Sequence, residues 1–84
     1  MATYSDLRTA IDAGAVHSFD DFFLFVEQKQ FMADTGISIR RLKALRALPM
    51  QMSLLEMITI ADLLSMQWDE FGALLKKWDQ VKQQ

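Results

Sequence analysis

Thr35-Gly36-Ile37-Ser38-Ile39-Arg40-Arg41-Leu42-Lys43-Ala44-Leu45-Arg46-Ala47-Leu48 is the stretch on which the reading of this chain turns. Thr-Gly makes a turn, and Ser38 is a good helix cap. The short helix it opens carries four cations, Arg40, Arg41, Lys43 and Arg46. These are four of the nine basic residues in the chain, and no acidic residue falls between Gly36 and Leu55. The chain as a whole has a net charge of −2, so the basic stretch stands apart from its setting. A turn feeding a short basic helix is an arrangement that lays a helix against nucleic acid.

Outward from this stretch the chain reads as helical. Leu, Ala, Met, Gln and Lys are abundant, proline occurs once, and no period-2 run of Val, Ile or Thr is present. Its 84 residues make one small domain, 1–84, and an apolar content of 51% is enough to fold it. There is no cysteine, which excludes disulfides and thiolate metal sites and suits a reducing cytosol. The longest apolar run, Phe22 to Val26, is far too short to cross a bilayer, and no signal peptide is recognisable at the start. A cytoplasmic location is therefore expected. The net charge argues against a protein that coats nucleic acid indiscriminately, although a local cationic face can still contact phosphates.

The spacing predicts a first helix from Ser5, with Leu7, Ala10 and Ile11 on its apolar side and Gly14 at its end. Ser18-Phe19-Asp20-Asp21 resembles a capping box that opens a Phe-rich helix. That helix either runs on to Thr35 or breaks between Glu27 and Lys29, and Gly36 caps its end. The basic helix spans Ser38 to about Ala47, and Leu48 to Met52 form a loop. Ser53-Leu54-Leu55-Glu56 is a second capping box, opening a helix to about Leu64. A last helix runs from Trp68 towards Val81. This is an all-α bundle of about five helices.

From Phe31 to Phe71 the pattern resembles the helix-turn-helix domain of the Cro and phage-repressor (XRE) family. The likeness rests on Thr35-Gly36-Ile37-Ser38, on Leu42 and Leu45 four and seven places past the serine, and on the Pro49 loop. It also rests on the Ser53-capped helix with Leu54, Met57, Ile58, Ile60, Ala61 and Leu64, and on the closing Asp69-Glu70-Phe71. It covers about half the chain, and the pieces are moderately specific only because they fall in register. Two departures are Met32, where the family favours Ala, and Leu48, where it often has Gly. The resemblance implies a lambda-repressor-like fold with a core at about 28–72 and an added helical extension at 4–17. It implies a DNA-binding regulator of bacterial or phage type with its recognition helix at 38–47. It also makes Gln28, matching the family's helix-opening Gln, a candidate phosphate contact.

With Leu42 centred on the buried side and about 100° per residue, Arg40, Ala44 and Ala47 point outward. Arg41 and Lys43 lie on the two flanks, and Arg46 falls nearer the buried side, where it can snorkel. Arg40 is then the candidate base reader, with Ala44 and Ile39 beside it, because arginine pairs with guanine in a bidentate manner and alanine can touch a thymine methyl. Arg41, Lys43, Ser38 and Arg46 are candidate phosphate contacts, which position a protein without specifying sequence. The competing reading is a solvated helix face, its cations paired with acids of the first half of the chain, or a protein-docking module that keeps the shape without binding DNA.

Nothing points to catalysis or to a cofactor. His17 is the only histidine and has no evident partner in sequence. Asp20 and Asp21 are adjacent, diverge on a helix, and are explained by its dipole. No Gly-rich phosphate loop, nucleophile triad or metal-ligand spacing occurs, so no enzyme and no metal are expected. The helix at 53–64 is apolar almost all round, which points to wrapping by other helices or to a subunit contact. Leu55, Leu63 and Trp78 are candidate anchors of a homodimer, which would let a small domain bind two half-sites, with packing inside the monomer as the alternative for Trp78. Double-stranded DNA is the expected partner, with a protein partner as the alternative and no membrane association.

Overall fold

A computed structural model describes residues 3–82. It is all-helical, and no strand occurs among the described residues. Five α-helices succeed one another there: α1 (Tyr4–Asp12), α2 (Gln28–Thr35), α3 (Ile39–Ala47), α4 (Leu54–Leu63) and α5 (Trp68–Lys82). Two short 3₁₀ segments, Phe19–Leu24 and Pro49–Gln51, join them. No described helix is long and apolar enough to cross a membrane.

The caps explain where the helices start and stop. Ser38 and Ser53 each accept a hydrogen bond from the N–H three residues on, and at Ser53 the Glu56 side chain accepts one from the Ser53 N–H in return. Gly36 takes a left-handed φ of 75° at the end of α2, a conformation that only glycine adopts cheaply. The first helix starts one residue earlier than the spacing predicts. Thr3 is its cap, and Asp6 completes a capping box there.

The Phe-rich segment is where expectation and structure differ most. Ser18 does cap it, but the helix it opens is 3₁₀ rather than α, and the chain breaks near Glu27. Asp21 accepts from the His17 N–H rather than closing a box on Ser18. In a 3₁₀ helix side chains three apart eclipse, so Phe19 and Phe22 share one side, and both are fully buried. Their rings meet edge-on at 5.0 Å. Phe19 also meets Phe31 at 6.0 Å, and Phe22 meets Trp78 at 5.9 Å.

One hydrophobic cluster draws on every helix: Leu7 and Ile11 of α1, Phe31 of α2, Leu42 and Leu45 of α3, Ile60 and Ala61 of α4, and Phe71, Leu75 and Trp78 of α5. The expectation that Trp78 anchors a second subunit is therefore corrected. It is only 7% exposed and packs within the monomer against Phe22, because Phe71, Leu75 and Trp78 fall on one stripe of α5.

The N-terminal extension is part of this core. Leu7 is fully buried, and two polar contacts fix α1 to its neighbours. The Tyr4 hydroxyl donates to Asp34 of α2 at 2.6 Å; burial, then that hydrogen bond and the charge of Asp34, raise the phenol pKa. Arg8 donates to the Leu64 and Ser65 carbonyls at 3.2 and 2.9 Å, capping the end of α4 while also pairing with Asp12. Leu7→Ala is expected to lower unfolding free energy by about 2–5 kcal/mol, and Tyr4→Phe by about 0.5–1.5 kcal/mol, in urea denaturation. An extension that merely decorated the surface would leave both variants within about 0.5 kcal/mol of the parent.

Candidate nucleic-acid interface

Helix α3 is seated by Leu42 and Leu45, both fully buried. On a helical wheel Arg41 and Arg46 fall on opposite sides of that stripe, each about 70° from its centre. Each is held by a carboxylate from another element.

Arg41 donates from Nε and Nη2 to the two oxygens of Glu56, at 2.9 and 2.8 Å, and Nη2 also reaches the Gln51 carbonyl at 3.0 Å. This fork-on-carboxylate geometry is the strong form of an ion pair. Glu56 is the less exposed partner, at 17%, and it also accepts the Ser53 N–H at 2.8 Å. The hydrogen bonds from Arg41 hold its carboxyl down at about 2, against the opposing effect of burial and with help from Ser53.

Arg46 donates from Nε to Asp20 at 2.6 Å and from Nη1 to the Gln28 side-chain oxygen at 2.7 Å. Its guanidinium carbon lies 4.7 Å from the centre of the Phe23 ring. This is the snorkelling position the sequence predicts, with the polar head turned to the 3₁₀ segment and to the first residue of α2.

The pairing sorts the predicted contacts. Arg40, Lys43, Ala44, Ala47 and Ile39 are exposed together on the outward face of α3, and Ser38 is exposed at its start. Arg41, Arg46 and Gln28, expected as phosphate contacts, are hydrogen-bonded within the protein. Ser38 spends its hydroxyl oxygen as acceptor for the Arg41 N–H. The expectation that cations of α3 pair with acids of the first half of the chain is met at Asp20, while Glu56 lies downstream. Neither partner is legible from α3, because the contacts span 26 and 15 residues.

Of the expected subunit anchors, Leu55 is 73% exposed and Leu63 is half-buried. Leu48, Met50 and Leu54 are also largely exposed, so the surface after α3 and at the start of α4 carries apolar side chains that the core does not cover. Leu55 borders an open cleft of about 360 Å³ shared with Thr35, Ile37, Ser38, Arg41 and Glu56.

The depressed Glu56 carboxyl gives a pH dependence of known sign. Its folded value of about 2 lies below the ordinary 4.5, so its stabilising effect is complete above 4.5 and is lost as pH falls towards 2. Unfolding free energy of the parent should decline across that window, and Glu56→Gln should lower stability at neutral pH while flattening this part of the profile. Parallel profiles for the two proteins would show that the pair adds nothing.

Comparison of the chain with protein-family models, with curated proteins and with solved structures finds no match.

Proposed function

We propose that the chain is a sequence-specific DNA-binding regulator of helix-turn-helix type that presents α3 to the major groove. The observation that carries this reading is the outward face of α3: Arg40 and Lys43 are exposed beside Ala44 and Ala47, small enough to let the helix approach base edges. The turn Gly36-Ile37-Ser38 between α2 and α3 suits the same motif. The N-terminal extension leaves this face open, because Tyr4 and Arg8 tie α1 to Asp34 and to the end of α4.

Arg40 is the base-reading residue, with Ala44 and Ile39 at its side, and Lys43 is the phosphate contact. Arg41 acts by holding α3 in place through Glu56. The protein works by occupying a site in cytoplasmic DNA, without chemistry and without a cofactor. A homodimer contacting two half-sites fits the exposed Leu55 and its apolar neighbours. The same apolar surface favours a second reading, a protein-docking module that retains the shape without touching DNA.

Selection from a random duplex pool, together with salt-titrated binding, separates the two. The regulator reading expects enriched sequences and affinity that falls steeply with salt. Arg40→Ala should cost about 1–3 kcal/mol on the selected site and relax preference at one position. Lys43→Ala should weaken all duplexes alike. Absence of binding to any duplex at low salt leaves the docking reading.

A further inference from the structure

The two arginine pins differ in how open they are. Glu56 is 17% exposed and its carboxylate is enclosed by Arg41 and Ser53. Asp20 is 58% exposed, and Arg46 beside it is 34% exposed. The Asp20 carboxylate accepts from Arg46 Nε, and Nη2 of Arg46 donates to no group among the described residues. Phe23 and Gln28 also contact the guanidinium, so Asp20 is not its only restraint. The result is a partly exposed guanidinium with its Nε on a carboxylate that is itself largely exposed.

A carboxylate and a phosphate offer the same thing to arginine, two oxygens carrying negative charge in a plane the fork can match. Arg46 lies one helical turn from Lys43 on the same flank of α3, where a duplex seated on Arg40 would bring its backbone.

We propose that Asp20 is a built-in competitor of the DNA backbone: it occupies Arg46 in the free protein and yields it to a phosphate when α3 enters the groove. This rests on the DNA-binding reading above. The consequence is a second phosphate contact on α3, beside Lys43, that is held back by the protein's own acid. Weak, unspecific encounters do not displace Asp20, whereas a fully seated helix does. Asp20 is thus a specificity-determining residue that makes no contact with a base.

The test is fluorescence anisotropy with a labelled random-sequence duplex at low salt. Asp20→Asn and Asp20→Ser are compared with the parent and with Asp62→Asn, which removes an exposed acid of α4 far along the chain from the pin. The serine variant covers the case in which asparagine still accepts from Arg46. Both Asp20 variants should bind about threefold to tenfold more tightly than Asp62→Asn, and the gain should vanish in an Arg46→Gln background. Circular dichroism melts establish that each variant is folded. If Asp20 variants bind no better than Asp62→Asn while the parent binds duplex, the competitor is overturned and the DNA-binding reading stands. If the gain persists without Arg46, it is general electrostatics and the proposal fails. If no protein binds duplex, both readings fall.

Discussion

The outward surface of α3 depends on one carboxylate. Glu56 receives two donors from Arg41 and the N–H of Ser53, so a single side chain closes the first turn of α4 and fastens α3 to it. Arg41 extends the link to the Gln51 carbonyl, which ties in the 3₁₀ turn between the two helices. Bringing a carboxylate into a partly covered site costs desolvation, and here several charge-assisted hydrogen bonds offset it. Leu42 and Leu45 decide which side of α3 is buried, but two leucines leave the helix some freedom to roll. Pins at Arg41 and Arg46, on opposite sides of the stripe, remove it. The direction in which Arg40 points is a result of that restraint.

The same seat needs a rigid wall behind it, and aromatic packing supplies one. Phe19, Phe22, Phe23, Phe25 and Phe31 are too many and too widely spread for one α-helical stripe. The chain accommodates them by leaving α-geometry. In the 3₁₀ segment Phe19 and Phe22 eclipse and fill the core, and Phe23 turns enough to sit half-buried under Arg46, its ring 5.4 Å from Phe31. Phe23 thereby joins the hydrophobic core to the electrostatic pin. The break at Glu27 also starts α2 at Gln28, which puts that side chain within reach of Arg46.

Local chemistry makes much of this legible. Ser38, Ser53 and Gly36 fix their helix ends through bonds spanning a few residues, and the 3.6-residue period identifies Leu42 and Leu45 as core. What the sequence withholds is long-range. Nothing near Arg41 or Arg46 in the chain names Glu56 or Asp20, so four cations read as equally free when two are paired with the protein's own carboxylates. Trp78 reads as an anchor because its core partner, Phe22, lies 56 positions earlier. The extension reads as an addition because neither Asp34 nor the end of α4 can be connected to Tyr4 and Arg8 before the chain is folded. The 3₁₀ segment escapes a sequence reading for a different reason: Ser-Phe-Asp-Asp caps α- and 3₁₀-helices alike.

Charge then limits what α3 can do alone. Each phosphate neutralised contributes about 0.9 to the salt slope of binding to duplex DNA. With Arg41 spent on Glu56 and Arg46 resting on Asp20, α3 in the free protein offers only Arg40 and Lys43. On the DNA-binding proposal, two cations on a protein of net charge −2 would make a weak unspecific binder, which would leave the protein free to search. Tight binding then has to come from base contacts, from release of Arg46, or from a second copy. Leu48, Met50, Leu54 and Leu55 are the apolar surface available to such a copy. They are exposed but few, and a standard stable interface buries roughly 800 Å² per partner. On the proposed dimer, pairing through them would be weak in solution and would gain strength only where two half-sites hold two copies together, so that the effective concentration of one copy near the other replaces contact area.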